Sequence, residues 1–170
     1  TITQALTELG RIETVGGWGW LLGDEGSACA IGRDGLIAAF AAYDGVGPST
    51  VMVERYERRF AVPSLPDAKR SVYAPGFGAA GFAGLASVVS DAACQGDGVA
   101  IAIVERAGAA LARGAVALAQ RLPFKVASIP VAPVGGAFEH VHGLQAAFAS
   151  RLRAEANNTH AVDAALPPVL

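Results

Sequence analysis

Residues 16–27 read Gly-Gly-Trp-Gly-Trp-Leu-Leu-Gly-Asp-Glu-Gly-Ser and contain the sequence's clearest structural signal. Five of these 12 residues are glycine. Glycine loses more conformational freedom than any other residue when it is fixed in a helix or strand, so this stretch cannot be the interior of either. We predict a loop of defined shape here.

The side chains of this loop suit the binding of a sugar. Trp18 offers a flat apolar surface for the C–H face of a pyranose ring, and Asp24 can accept hydrogen bonds from neighbouring hydroxyl groups. The glycines allow backbone N–H groups to approach a ligand closely. A purely structural interpretation also stands at this point: a tight turn with both tryptophans in the core and Asp24 capping the next helix.

Regular structure is predicted on both sides of the loop. Apolar and polar residues alternate before it, around a turn at residues 8–10, which indicates a hairpin over the first 15 residues. After it, Ser27 is a typical N-cap for a helix that extends to about Tyr43. Helices are then predicted at 49–60, 78–94, 98–122 and 141–156, with a strand at 125–134 and an extended piece at 159–162. Three prolines between the second and third helices leave room for one short helical turn at most.

The composition indicates one folded domain. The chain has 170 residues, of which 52% are hydrophobic and 16% charged, and this excludes intrinsic disorder. The net charge of −2 argues against a nucleic-acid partner. Cys29 and Cys94 lie far apart in alanine-rich segments, where we expect reduced thiols packed like small hydrophobic residues and therefore a cytoplasmic protein. Arg113 interrupts the longest apolar stretch, so neither secretion nor a membrane partner is indicated.

Three further patterns suggest chemistry but lack the required context. Residues 76–81 match G-x-G-x-x-G, yet Pro75 stands where the dinucleotide fingerprint needs an apolar strand. His140 and His142 would point to different sides of a helix, which argues against a metal site with Glu139. Thr1 as an N-terminal nucleophile has no supporting residues.

Gly135 and Gly136 follow the predicted strand and open towards a helix. Such a turn offers a backbone surface that a phosphate or a nucleotide base can approach. Two glycines alone are a weak signal, and an ordinary strand-to-helix turn is the simpler interpretation of them.

Residues 16–27 closely resemble the signature loop of the N-acetylglucosamine kinase family, within the larger group named after the benzoyl-CoA reductase activator ATPases. The resemblance continues through Phe82-Ala83 and Ala86, the Gly96-Asp97 turn, Val134-Gly135-Gly136 and Pro167-Pro168. It therefore covers nearly the whole chain.

The resemblance implies the α/β fold class, and within it an RNase H-like lobe of the actin-like ATPase fold. Residues 1–170 look like the C-terminal lobe alone, and the apolar end of the chain looks cut. The N-terminal lobe, with its phosphate loop and the aspartate that serves as general base, would be a separate partner of this chain. No catalytic residue is therefore expected within these 170 residues, and the isolated chain is expected to be inactive.

The resemblance also implies roles for particular residues. Gly17, Trp18 and Gly19 would line the N-acetyl and ring side of an amino sugar, and Asp24 would accept from its hydroxyl groups. Trp20 occupies a position where relatives vary, so sugar binding is better indicated than the identity of the sugar.

The nucleotide site implied by the resemblance is divided between the lobes. Gly135 and Gly136 would flank the adenosine of ATP, and Thr1 falls where a second phosphate loop would close. The cofactors would be ATP and Mg²⁺, with no metal ligand expected in this chain, and the protein would be able to pair as a homodimer. The implied reaction is phosphoryl transfer to the C6 hydroxyl of N-acetylglucosamine or glucosamine.

A second function from another class uses the same fold. An ATPase activator, or a regulatory sugar sensor, would close its lobes to drive a partner and would carry out no phosphoryl transfer. Trp18 and Asp24 favour the kinase, because an activator has no sugar to hold, and the two cysteines lack the spacing of a cluster site.

Overall fold

A computed structural model describes residues 1–122 and 128–163. The first part of the predicted strand and Pro167-Pro168 lie outside the described residues. The described elements, in chain order, are β1 (Ile2–Leu6), β2 (Ile12–Gly16), α1 (Ala28–Tyr43), α2 (Met52–Phe60), a 3-10 turn (Leu65–Asp67), α3 (Ala68–Val72), α4 (Gly78–Ala83), α5 (Ala86–Cys94), α6 (Gly98–Arg121), β3 (Ile129–Val131), α7 (Gly136–His140), α8 (Leu144–Glu155) and β4 (Thr159–Ala161).

The described strands form two pairs. β1 and β2 are antiparallel, with Ile2 opposite Gly16, and this confirms the predicted hairpin. β3 and β4 are parallel, with Ile129 opposite Thr159, and a helical connection joins them as parallel strands require. The predicted α/β class is therefore confirmed.

The long helix α6 is the centre of the structure. Ile103, Val104 and Ala107 belong to a core shared with α1 and α5. Ala112 and Val116 belong to a second cluster, formed with α8. The two helices approach closely at Gly108 of α6, where a side chain would place its Cβ 2.7 Å from the backbone nitrogen of Phe148. Burial on two sides explains why α6 holds both parts of the core together.

The helix α1 is covered by α4 and α2 through two more glycines. The backbone carbonyl of Phe82 in α4 occupies the place that a side chain at Gly32 would need. The hydroxyl of Tyr56 in α2 lies 2.5 Å from the position of a Cβ at Gly35, and it donates a hydrogen bond of 3.5 Å to the carbonyl of Gly32. Tyr56 is fully buried, and burial raises the pKa of its hydroxyl.

Several predicted boundaries differ from the structure. The predicted helix 49–60 begins at Met52, and the described part of the predicted strand 125–134 is a strand only over Ile129–Val131. The predicted helix 78–94 is two helices, because the chain turns at Gly84, where the N–H of Leu85 donates to the carbonyl of Phe82 at 2.9 Å. The predicted helix 141–156 begins only at Leu144, since Gly143 has a φ of +81° and ends the preceding turn. The proline-rich segment holds both a 3-10 turn and α3, which is more helix than predicted.

Candidate functional site

The glycine-rich loop, residues 16–27, is held firmly at both ends. At its start, the N–H of Gly17 donates to the carbonyl of Thr1 at 2.8 Å. At its end, Ser27 caps α1 as predicted, since its Oγ accepts from the N–H of Ala30 at 3.2 Å. Gly26 has a φ of +80°, and a Cβ there would lie 2.5 Å from the carbonyl oxygen of Ala107 in α6. A larger residue at position 26 would therefore push the loop away from α6.

The course of the loop depends on backbone conformations that glycine adopts easily. Gly16, Gly17 and Gly19 have φ values of +84°, +82° and +81°, and the N–H of Leu22 donates to the carbonyl of Gly19 at 3.3 Å. Asp24 has a φ of +63°, a left-handed conformation that is uncommon outside glycine but tolerated by aspartate. The chain therefore reverses direction sharply around the two candidate sugar-binding side chains.

The two tryptophans of the loop have different environments. Trp18 is 74% exposed, and its neighbours Leu21 and Leu22 are exposed to a similar degree. Trp20 is half-buried, and its ring centroid lies 6.4 Å from that of Phe82. The structural interpretation with both tryptophans in the core is wrong for Trp18, whose ring is free to meet a ligand.

The carboxylate of Asp24 does not cap α1, because Ser27 does. Its side chain is partly buried, with 21% exposed, and lies beside Thr1. The Cβ position of Gly23 is 3.7 Å from the Cβ of Trp18, so the loop folds back on itself between residues 18 and 23.

A buried thiol lies behind the loop in the first turn of α1. Burial raises the pKa of Cys29, the charge of Arg33 lowers it, and the charge of Asp24 raises it. The thiol is therefore neutral at pH 7 and packs as a small apolar group. Cys94, in contrast, is exposed, so its predicted burial is wrong; both cysteines are free.

The candidate nucleotide residues lie beside open space after β3. Gly135 has a φ of +111°, and no described atom lies within 4 Å of its Cβ position. At Gly136 the nearest described atom is Cδ2 of His140, at 3.7 Å. Thr1, the third candidate nucleotide residue, lies beside Gly17 and Asp24 of the glycine-rich loop. A flat ligand could rest against this backbone without displacing a side chain.

The remaining sequence patterns have structural roles. Residues 76–81 follow α3 and not a strand, and the ring of Phe77 lies 2.6 Å from the Cβ position of Gly81. The hydroxyl of Ser90 donates to the carbonyl of His140 at 3.0 Å and accepts from the N–H of His142 at 2.9 Å. Across residues 1–122 and 128–163, no three His, Cys, Asp or Glu residues are grouped to hold a metal ion.

Sequence reasoning missed the partner of the loop, Phe82, which it placed in the core without relating it to Trp20. Aromatic residues at 77 and 82, close after a glycine-rich segment, were the available signal.

Among the described helices, none is both long and apolar enough to span a membrane.

Comparison with known proteins finds similarity to a family model, to a curated protein and to a solved structure. The model of a family described as the BadF/BadG/BcrA/BcrD ATPase family matches residues 3–166. The N-acetylmuramic acid/N-acetylglucosamine kinase of Clostridium acetobutylicum is 28% identical over 139 residues, which cover 82% of this chain and 45% of that protein. The solved structure of a "Putative N-acetylglucosamine Kinase" from Chromobacterium violaceum superposes with a TM-score of 0.73 at 25% identity, over 94% of this chain and 51% of that one. The chain thus spans about half the length of both relatives.

Proposed function

Since the chain belongs to the BadF/BadG/BcrA/BcrD ATPase family, which has the actin-like ATPase fold, we propose that it is the C-terminal lobe of an ATP-dependent amino-sugar kinase. The substrate in this proposal is N-acetylglucosamine or a related amino sugar, and the acceptor is its C6 hydroxyl. The N-terminal lobe, with the general base, is the second part of the proposed enzyme, which works in the cytoplasm.

The observation that carries the proposal is an exposed indole and a partly buried carboxylate on one fixed loop. Trp18 presents its ring to solvent, and the side chain of Asp24, six residues later on the same loop, is 21% exposed. Stacking of the indole on a pyranose ring fixes the plane of the sugar, and hydrogen bonds from two hydroxyl groups to the carboxylate fix its rotation within that plane. Because the loop is held at both ends, the sugar would be oriented at little further entropic cost.

The backbone at Gly135 and Gly136 fits the adenosine of ATP. The absence of side chains leaves the space beside it open, as a planar base requires. ATP supplies the phosphoryl group, with Mg²⁺ balancing its charge. In this proposal the Mg²⁺ is held by the phosphates of ATP and by residues of the other lobe. This lobe's own contribution is to orient the sugar and to receive the base.

The alternative, an ATPase activator without a sugar substrate, has less support. An activator without a sugar substrate does not explain why an exposed indole and a carboxylate share one loop. The two cysteines also lie on different helices, Cys29 buried in α1 and Cys94 exposed at the end of α5, so they do not form a pair of cluster ligands.

The test is a kinase assay on the complete protein that carries these residues. Purified protein with ATP and Mg²⁺ is offered N-acetylglucosamine, N-acetylmuramic acid, glucosamine and glucose, and NMR of the product locates the phosphate. We expect phosphorylation of an amino sugar at C6. Failure to phosphorylate any amino sugar would contradict the proposal.

The role of Asp24 is tested in the same assay. Asp24→Ala removes charge-assisted hydrogen bonds worth about 1.5–3 kcal/mol, so the KM for the sugar should rise about 10- to 100-fold. The exposed neighbour Glu25 gives the control, and Glu25→Ala should leave the KM unchanged within about twofold. An unchanged sugar KM in Asp24→Ala would remove Asp24 from the site.

A further inference from the structure

The glycine-rich loop has a third point of attachment, in its middle. Trp20 is half-buried and packs on Phe82 of α4, with the two rings tilted by 41°. The loop's other large apolar side chains, Trp18, Leu21 and Leu22, are all exposed. Trp20 is therefore the large loop side chain that connects the middle of the loop to the helices.

The partner of Trp20 is itself held in place from two directions. The backbone carbonyl of Phe82 contacts Gly32 of α1. A side chain at position 32 would leave no room for this carbonyl. The ring of Phe82 meets the ring of Phe77 edge to face, with centroids 5.1 Å apart. Phe77 in turn lies over Gly81. Phe82 therefore offers the loop a fixed surface, because moving it would displace α4 from α1.

The contact belongs to a longer aromatic series that ends in the core. Phe77 packs on Phe60 at 6.3 Å between centroids, and Phe60 packs on Tyr56 at 6.5 Å. Tyr56 is fully buried. Ring contacts thus run without a break from the loop to the centre of the helical core, in the order Trp20, Phe82, Phe77, Phe60 and Tyr56.

We propose that Trp20 is a positioning residue that sets the orientation of Trp18 without touching the substrate, an inference that rests on the proposed sugar-binding role of this loop. Only Gly19, at a φ of +81°, separates the two tryptophans. Glycine can adopt many other conformations, so the bond of Gly17 to Thr1 restrains Trp18 from one side and the contact of Trp20 restrains it from the other. Without the contact to Phe82 the loop samples more conformations, and the apparent affinity falls in proportion to the fraction that remains competent to bind.

Kinetics on the complete protein test this directly. Trp20→Ala and Phe82→Ala should each raise the sugar KM about threefold to tenfold, the loss expected for one aromatic contact, and leave the ATP KM within about twofold. Trp20→Phe keeps a ring against Phe82 and should restore most of the sugar affinity. The double variant should be no worse than the worse single variant, since both remove the same contact. Tyr73→Ala, an exposed aromatic residue on another surface, is the control and should change neither KM.

Hydrogen exchange of the ligand-free protein separates this inference from the proposed function. The amide of Leu22, bonded to the carbonyl of Gly19, should exchange faster in Trp20→Ala and in Phe82→Ala than in the wild type. Faster exchange in a protein that phosphorylates no amino sugar would support the positioning role of Trp20 and contradict the proposed kinase activity.

An active kinase in which Trp20→Ala changes neither the exchange nor the sugar KM would overturn the inference. An equal rise in the KM for sugar and for ATP would also overturn it, because that pattern indicates a general structural role. If Trp20→Ala does not fold, Trp20→Leu, which keeps apolar volume without a ring, takes its place with the same expected outcomes.

Discussion

Asp97 accepts a hydrogen bond of 2.9 Å from the hydroxyl of Thr50, a residue 47 positions away in the chain. The same carboxylate oxygen accepts from the N–H of Val51 at 2.9 Å, and the other oxygen accepts from the N–H of Ala100 at 2.9 Å. One side chain therefore caps α6 and fixes the segment that leads into α2. Burial opposes ionisation of Asp97, but these hydrogen bonds outweigh it and hold the pKa below its ordinary value.

The pH dependence of stability should carry the signature of Asp97. A carboxyl group with a lowered pKa in the folded state stabilises the fold at pH values above its unfolded pKa of about 3.9, and this contribution is lost as pH falls through the lower folded-state pKa. We expect the difference in unfolding free energy between wild type and Asp97→Asn to be largest above about pH 5 and to shrink below about pH 4. Urea denaturation at several pH values measures it.

The exposed Asp91 in α5 provides the matched control. Asp91→Asn should change the unfolding free energy at pH 7 by less than about 0.5 kcal/mol, because Asp91 is an exposed surface residue. A difference for Asp97→Asn that stays flat from pH 3 to pH 7 would show that the Asp97 carboxylate does not stabilise the fold through these bonds.

The close approach of α4 to α1 predicts a large effect at Gly32. Gly32→Ala places a methyl group where the carbonyl of Phe82 lies, and the helices must separate. We expect a loss of about 1–3 kcal/mol of unfolding free energy. Gly98→Ala, in a helix position with open space around its Cβ, should be neutral or stabilise by about 0.5–1 kcal/mol. Equal stabilities of the two variants would refute the packing described for α1.

Replacement of Trp18 should separate sugar binding from stability. Because Trp18 is largely exposed, Trp18→Ala should change the unfolding free energy by less than about 0.5 kcal/mol. Loss of ring stacking should raise the sugar KM by a factor of about 5 to 30 and leave the ATP KM unchanged. The sugar KM of Trp18→Phe should lie between that of the wild type and that of Trp18→Ala. A large fall in thermal stability, with both KM values altered, would assign Trp18 to the fold.

A side chain introduced at position 136 should weaken the binding of ATP and leave the binding of sugar unchanged. A Cβ at Gly136 meets only His140, at an ordinary distance of 3.7 Å, so Gly136→Val is compatible with the fold. If adenosine lies against this backbone, the added volume should cost about 1–3 kcal/mol of nucleotide affinity and leave the sugar KM unchanged. The KM for ATP, measured at saturating sugar, reports the effect. An unaltered value would place the nucleotide elsewhere.

The parts of the fold that sequence could predict are those with local causes. The hairpin follows from alternation around a short turn, the start of α1 from the Ser27 cap, and the start of α6 from Asp97 after Gly96. The division of residues 78–94 has no such cause. It arises because Phe82 presses on Gly32, a contact between segments 50 residues apart in the chain. The burial of α6 on its second side could not be predicted either, since glycine and alanine at 108, 112 and 115 give little hydrophobic signal.

The candidate site shows the same limit. The composition of residues 16–27 predicts a loop with an aromatic wall and a carboxylate, but it does not tell Trp18 from Trp20. Both follow a glycine, and no periodicity applies within a loop. The two residues become different only when α4 places Phe82 beside one of them.

The anchoring of Gly26 against Ala107 bears on how the proposed sugar site could be engineered. Combinatorial libraries should vary positions 18, 21 and 22, whose side chains are exposed, and should keep position 26 as glycine in every clone. Variation at position 26 would move the loop as a whole and turn a search for altered selectivity into a search for rescued folding.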